Sequence, residues 1–355
     1  MKNLIRILLL IVNVVLALLL VASTLAGVIP PSKCILFSFL SYGYFYFLLA
    51  NIIFVLIWLF FARKECIVSI LTIAIRYTFL PLFFQFGGNT VAEAPTDSIP
   101  QLKVMTWNVH QFYGTDNDRS VIDSNAKVFL KLLHEKQPDV MSLQEFYVPP
   151  KAHLNDSLKA LGYKYSYGIN KSSKDVPYGV ALFSKYPISY ASDLDRSQKF
   201  FADINWNDQI VRIVCVHLAP YRLDSIDQRG FTQVVHGTVD STTHRTYRKF
   251  RETIRAHETE WHNELLPIIS ETSYPLILAG DFNDTPASYL YQQAKDYLHD
   301  SYVEQGKGFC TTYHGKFPNF RIDYIMHSSH LEALSYERIK STMSDHYPII
   351  VTFQL

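Results

Sequence analysis

Four cysteines in 355 residues are too few and too scattered to frame a disulfide scaffold. Acidic charge is nearly missing from the first quarter of the chain: residues 1 to 90 hold six of the 33 Lys+Arg but one of the 32 Asp+Glu. Charged residues amount to only 18% and hydrophobic ones to 48%, which excludes an acidic disordered tail, and 14 glycines exclude a collagen-like repeat. What remains after residue 90 carries 27 basic and 31 acidic residues, a net of −4, together with all 13 histidines. A greasy, faintly cationic leader therefore precedes a polar, slightly acidic body of about 260 residues, enough for one sizeable core or two small ones.

The leader contains three apolar runs, Ile7 to Ile29, Cys34 to Ala62 and Cys66 to Phe86, each as long as the roughly 20 helical residues a bilayer core requires. Pro30, Pro31, Ser32 and Lys33 break the first from the second; Arg63, Lys64 and Glu65 break the second from the third. A cleaved signal peptide is the competing reading of the first run, but two further spans directly behind it favour a retained anchor. The expectation is three transmembrane helices in an anchor over residues 1–87, a linker over 88–100, and a catalytic domain over 101–355. Lys2, Arg6, Arg63 and Lys64 favour a cytoplasmic N-terminus and a cytoplasmic second hinge, so three crossings deliver the body outside the cytoplasm. Arg76, inside the third run, conflicts with this, since a mid-bilayer charge costs about 2.5 to 3.5 kcal/mol on insertion scales; it is expected to face another helix or to snorkel. Cys34 and Cys66 start spans, while Cys215 and Cys310 are read as free thiols in preference to a bridge.

After the linker, short apolar runs recur: Lys103 to Val109, Val140 to Leu143, Val180 to Phe183, Ile210 to Leu218, Leu276 to Ala279, Ile322 to Met326 and Ile349 to Phe353. They suit strands buried on both faces. Helical stripes lie between them, at Val128, Phe129, Leu132 and Leu133; at Leu154, Leu158 and Leu161; and from Tyr247 through Phe250, Ile254, Trp261 and Leu265 to Ile268. The pattern implies one α/β domain without internal repeats.

Polar groups punctuate the strand ends. Trp107-Asn108-Val109-His110 closes the first strand, Gln144-Glu145 the second, His217 the fourth and Gly280-Asp281-Phe282-Asn283 the fifth; Arg321-Ile322-Asp323-Tyr324 opens the sixth, and Ser344-Asp345-His346 precedes the last. Strand-end loops are where α/β sheets gather catalytic groups. Taken singly, Glu145 reads as a solvated carboxylate, Asn108 and Asn283 as turn residues, Asp323 as the salt-bridge partner of Arg321, and His217 as a core histidine. Their joint placement at strand ends favours one cleft. An oxygen-rich set without cysteine suits Mg²⁺ or Mn²⁺ rather than a closed zinc site, and phosphoester cleavage needs a cation, a base for water and donors for developing charge.

The ordered set WNV, LQE, YGVALFSKYPI, VHLAP, GDFND, RIDY and SDHYPI over about residues 101 to 355 resembles the endonuclease/exonuclease/phosphatase superfamily of DNase I-like proteins. That resemblance implies an α/β four-layer sandwich, two mainly antiparallel β-sheets flanked by helices, and Mg²⁺-dependent phosphoester hydrolysis. By matching motif it makes Glu145 the principal metal ligand, with Asn108 and Asp345 nearby. Asp281 would orient or deprotonate water, Asn283 would hold the phosphate, and Asp323 would fix the tautomer of His346, an acid/base or donor. His217 would stabilise transition-state charge or protonate the leaving oxygen. His110 departs from the Asp that apurinic endonucleases carry after WNV, and Phe317-Pro318-Asn319-Phe320 departs from the Cys-Asp-Arg box of inositol 5-phosphatases.

The net −4 of the body lacks the basic footprint of a nucleic-acid binder, yet Arg245, Arg248, Lys249, Arg251 and Arg255 cluster on the long helix. Arg248, Arg251 and Arg255 share one face, either a solvated surface or a substrate-binding patch for phosphates or anionic lipid heads. The expected function is a membrane-anchored, divalent-metal-dependent phosphodiesterase acting outside the cytoplasm on phospholipid, nucleic acid or another phosphoester. A true nuclease and a catalytically silent binding module are the alternatives. The bilayer and the phosphoester are the expected partners; no protein partner is inferable.

Overall fold

The computed structural model describes residues 2–61, 63–87, 100–147, 153–168, 178–195, 198–235, 240–316 and 318–355. Nearly all of the expected 88–100 linker lies outside them.

The leader folds as α1 (Lys2–Thr24), α2 (Ile35–Ser41), α3 (Tyr44–Phe60) and α4 (Cys66–Ile75). Three full-length spans are not what forms. Among the described residues, only the helix over Asn3–Gly27 is by itself long and apolar enough to cross a membrane. The second run bends by 64° between α2 and α3, at Tyr42-Gly43, where glycine is a poor helix former. The third run is helical for 10 residues, because the chain then tightens into a 3-10 segment, Tyr77–Leu82, containing Pro81. Arg76 is thus a helix end, not a mid-span charge. The helices α1, α3 and α4 are tied by a buried chain: Trp58 Nε1 donates to Asn13 Oδ1 at 2.9 Å, Asn13 Nδ2 to Ser69 Oγ at 2.6 Å, and Ser69 Oγ to Asn51 Oδ1 at 2.8 Å. Polar groups at apolar helix contacts act as such glue. Arg6 pairs with Glu65 at one end of this bundle, and the body meets the other, where Ser32 donates to Glu258.

Strands follow in chain order: β1 (Phe84–Gln85), β2 (Leu102–Asn108), β3 (Val140–Phe146), β4 (Tyr165–Tyr167), β5 (Gly179–Ser184), β6 (Ile188–Asp195), β7 (Lys199–Trp206), β8 (Gln209–His217), β9 (Leu276–Asp281), β10 (His299–Asp300), β11 (Gly308–Phe309), β12 (Asp323–His327), β13 (Glu332–Arg338) and β14 (Ile349–Gln354). One six-stranded sheet has the order β13-β14-β2-β3-β5-β4 and the other β10-β12-β9-β8-β7-β6, while β1 of the leader pairs with β11. Each large sheet holds one parallel pair, β2 with β3 and β8 with β9, and is otherwise antiparallel.

Period-2 alternation sorts the side chains into layers. Val104, Ile213, Cys215, Ile277 and Val351 fill the space between the sheets. Met105, Trp107, Met141 and Leu143 point the other way, onto Phe129 and Leu133 of α5 (Ile122–Lys136) and Leu154 and Leu158 of α6 (Leu154–Ala160). Val214, Val216 and Leu278 face a second outer layer. It holds α7 (Ser225–Val235), α8 (Ser241–Glu260), which continues through a π turn into α9 (Leu266–Glu271), then α10 (Tyr289–Lys295) and α11 (Ser301–Gln305). Leu82 of the leader is buried in that layer. The four-layer sandwich of mixed, mainly antiparallel sheets is the expected one. All four cysteines are free.

Candidate active site

Parallel pairing places the C-terminal ends of both strands at the same level. Asn108 lies beside Gln144, next to Glu145, in one sheet, and His217 beside Asp281 in the other. Asp323 opens the antiparallel neighbour of β9 directly opposite Asp281. The turn before β14 adds Asp345 and His346, fastened by Ser344 Oγ, which donates to the Asn108 carbonyl at 2.6 Å and accepts from His346 N at 3.1 Å. Trp107 Nε1 donates to the His346 carbonyl at 2.8 Å. One fully buried tryptophan therefore joins the core to the site.

These groups meet in one cluster. Asn108 Nδ2 donates to Asp281 Oδ2 at 3.0 Å, across the two sheets, and lies 3.5 Å from Glu145 Oε1. His217 Nε2 is 3.9 Å from both Glu145 Oε1 and Asp281 Oδ2, and His346 Nε2 is 3.8 Å from Asp281 Oδ2. Asp323 Oδ2 accepts from His346 Nδ1 at 2.9 Å. His110 Nδ1 lies 3.3 Å from Asp345 Oδ1 and 3.1 Å from the Gly114 carbonyl, so a nitrogen occupies the position after WNV. Asn283, held at φ 51, donates Nδ2–H to the Leu218 carbonyl at 3.0 Å and its backbone N–H to Asp281 Oδ1 at 2.8 Å, which leaves one amide hydrogen for a ligand. Glu145 itself has φ 48, a left-handed conformation uncommon outside glycine and asparagine that turns its side chain out of the strand.

Electrostatics follow from burial. Burial raises the Asp281 carboxyl above the usual carboxylate range and the Asp323 charge adds to this, against the lowering pull of His346 and His217. Burial disfavours a charged His346, but Asp323 and Asp281 outweigh it and lift the imidazole to about 10. Asp323 and Asp281 together therefore favour the protonated form of His346.

The structure places Arg248, Arg251 and Arg255 on α8. None makes a hydrogen bond or ion pair to a cleft residue among the described residues. Their neighbours are spent locally: Arg245 on Asp224 at 2.6 Å and Lys249 on Asp227 at 2.6 Å. Several supporting residues carried no readable signal. Gln198 Oε1 accepts from His217 Nδ1 at 3.0 Å, and Thr312 Oγ1 accepts from the backbone N–H groups of Ile322 and Asp323, each at 3.0 Å. Ser344 and Trp107, by contrast, stood within motifs.

A family model for the endonuclease/exonuclease/phosphatase family matches residues 105–346. The chain belongs to that family. A second model, described as a domain of unknown function, matches residues 6–83, and the search of curated proteins returns no match. Among solved structures, a humanised D. rerio TDP2 carrying 14 mutations shares 16% identity, with 72% of this chain and 99% of that one covered and a TM-score of 0.50. An endonuclease/exonuclease/phosphatase from Beutenbergia cavernae shares 18%, with 72% of each chain covered and a TM-score of 0.49. The human Nocturnin catalytic domain shares 20%, with 73% and 96% covered and a TM-score of 0.48. The TDP2 likeness shows a shared fold.

The donor set of this family member fits a hard cation. Glu145, Asp281, Asp323 and Asp345 are four carboxylates, and among the described residues none pairs with Lys or Arg; their ionic neighbours are histidines alone. Asp323 Oδ1 is buried without a hydrogen-bond partner. Asp281, Asp323 and His346 each offer a ligand atom within 4.8 Å of the others, yet the Nδ1 atom of His346 is already engaged by Asp323, which leaves the partly open Glu145 and Asp345 as the more accessible ligands.

Proposed function

We propose that this protein is a membrane-anchored, divalent-metal-dependent phosphodiesterase acting outside the cytoplasm, with phospholipid as its favoured substrate class. The observation that carries the reading is the gathering of four carboxylates without a Lys or Arg partner among the described residues, three histidines and two asparagines at one end of the sandwich. Such a set calls for a cation and is poised for an anion that arrives with it.

Glu145, Asn108 and Asp345 would hold Mg²⁺ or Mn²⁺. When bound, the cation would neutralise phosphate charge and acidify water. Asp281 orients the attacking water and takes up its proton. His346, kept protonated by Asp323, donates to the phosphoryl oxygens. His217, anchored through Nδ1 by Gln198, turns Nε2 toward the gap between Glu145 and Asp281 and stabilises or protonates the leaving oxygen. Asn283 offers its remaining amide hydrogen to the phosphate.

Multi-pass anchoring is supported by the bundle's polarity. Arg6 and the Arg63-Lys64 hinge lie at the end away from the body, which under the positive-inside bias is the cytoplasmic one. The body meets the opposite end, with Ser32 donating to Glu258 through backbone N–H and Oγ at 2.7 and 2.6 Å. The catalytic loops are on this membrane-proximal side, which favours a lipid phosphoester, and Arg248, Arg251 and Arg255 would meet anionic headgroups.

The test is a panel of bis-p-nitrophenyl phosphate, sphingomyelin, phosphatidylinositol and plasmid DNA, offered to the full chain in nanodiscs with Mg²⁺, Mn²⁺ or EDTA. Metal-dependent turnover of a lipid, lost in EDTA and in Asp281→Asn, is the expected result. DNA cleavage without lipid turnover would replace the lipid reading by the nuclease one, and no turnover anywhere would leave a silent binding module.

A further inference from the structure

Resting on the phosphodiesterase reading, we infer that the leader is part of the catalytic architecture: Tyr42, at the bend of the second apolar run, is a positioning residue that seats the loop carrying Asp281 and Asn283. The loop runs on from Asn283 to Asp284 and Ala287. Tyr42 Oη donates to Asp284 Oδ1 at 2.8 Å, and because a tyrosine has one hydroxyl hydrogen, the Tyr221 hydroxyl must donate to Tyr42 in the short contact between them. Tyr221 lies four residues after His217. On the other side, His257 Nε2 donates to the Ala219 carbonyl at 2.9 Å and its Nδ1 faces Asp284 Oδ2 at 3.3 Å. The leader hydroxyl thus closes a part-buried polar chain that spans both loops.

Packing points the same way. Ala287 is fully buried with Leu20, Tyr44 and Leu48 of the leader, and a Cβ on Gly27 would lie 2.6 Å from Cγ of Gln292. Gln292 Nε2 in turn donates to the Pro286 carbonyl at 2.7 Å. Neither the hydroxyl chain nor these contacts touches the reacting atoms. Their effect is to fix where Asp281 and Asn283 stand, and sub-ångström placement of such groups governs turnover rather than substrate affinity.

The experiment measures kcat and KM of the full chain in nanodiscs for bis-p-nitrophenyl phosphate with Mg²⁺, well below the melting midpoint, for Tyr42→Phe, Tyr221→Phe and the double variant, with Asp281→Asn as the control for the underlying chemistry. The expectation is a loss in kcat of about tenfold for Tyr42→Phe, KM within about twofold, and a double variant no worse than Tyr42→Phe, since both hydroxyls serve one chain. Ser69→Ala, which disturbs the bundle away from the loop, should keep kcat. An unchanged kcat in Tyr42→Phe, or additive losses, overturns the inference while Asp281→Asn is inactive. An active Asp281→Asn instead overturns the phosphodiesterase reading itself. Should Tyr42→Phe fail to fold, Tyr221→Phe alone decides, by the same drop or its absence.

Discussion

Gly280 is the narrowest point of the site, and Gly280→Ala tests whether backbone spacing sets the catalytic geometry. In the parallel pairing of β8 with β9, Gly280 stands beside Val216 and Asp281 beside His217. A Cβ at Gly280 would lie 1.9 Å from the Val216 carbonyl oxygen, at φ 157. The oxygen belongs to a central strand and cannot swing aside as a side-chain tip would, so the strands must part. Overpacking of this kind costs about 1 to 3 kcal/mol or more, and the upper end applies because the obstacle is backbone. At about 2 to 4 °C per kcal/mol for a body of this size, the melting midpoint should fall by about 6 to 12 °C. The shift is imposed one residue from Asp281, and misplacing a catalytic group by about 1 Å costs about a hundredfold in rate. Circular dichroism melts and phosphoester turnover at low temperature read the two effects separately. A wild-type midpoint would refute the steric argument, and a lowered midpoint with intact kcat would refute its transmission to Asp281.

Three further outcomes follow from the buried titratable groups. In Asp323→Asn, His346 loses the carboxylate that does most to lift its pKa to about 10, so the alkaline limb of the pH–rate profile should move to lower pH and kcat should drop by about a hundredfold or more; an unmoved limb would exclude His346 as the proton carrier. Cys215, whose thiol burial pushes up to about 12, should resist maleimide at pH 8 until the protein unfolds, as peptide mass spectrometry would report; labelling in the native state would contradict the sealed inter-sheet core. For His257, burial opposes the charge but Asp284 outweighs it and raises the pKa. Its stabilisation is therefore full below an unfolded-state value of about 6.5 and is lost as pH rises through the higher folded one. The melting midpoint should decline across mildly alkaline pH, and a His257→Gln variant that declines in parallel would remove His257 as the cause.

The body was more legible than the leader, for a physical reason. Strands such as β2, β3, β8 and β9 are buried on both faces and read as continuous apolar runs. The edge strands β4, β6, β10 and β13 were not anticipated, since an edge strand such as Glu332–Arg338 alternates with charge and solvent. Nor was β7, whose run is interrupted by Asp203 and Asn205. In the leader, hydropathy registers only that a segment is apolar. It does not distinguish a helix facing lipid from Leu82 buried beneath the body, or from a bend at Tyr42 that meets Asp284. Gln198 was equally silent, because a lone glutamine in a loop has no pattern until His217 is seen beside it.

The clustered strand-end groups were legible because of how the sheets are wound. An antiparallel sheet sends successive strand ends to opposite edges, so polar punctuation after each strand would scatter. Here each sheet places its one parallel pair at the centre, and the ends of β2 and β3 and of β8 and β9 emerge together. Face-to-face packing then brings Asn108 of one pair to Asp281 of the other at 3.0 Å, while β12 and β14, antiparallel to those central strands, begin at the same edge and add Asp323, Asp345 and His346. Residues that follow central strands and residues that precede their antiparallel neighbours therefore converge by topology alone. Leu82, Tyr42 and Ser32 of the leader contact that same edge through Arg321, Asp284 and Glu258. The fold thus turns this polar end, and not its far end, toward the apolar leader.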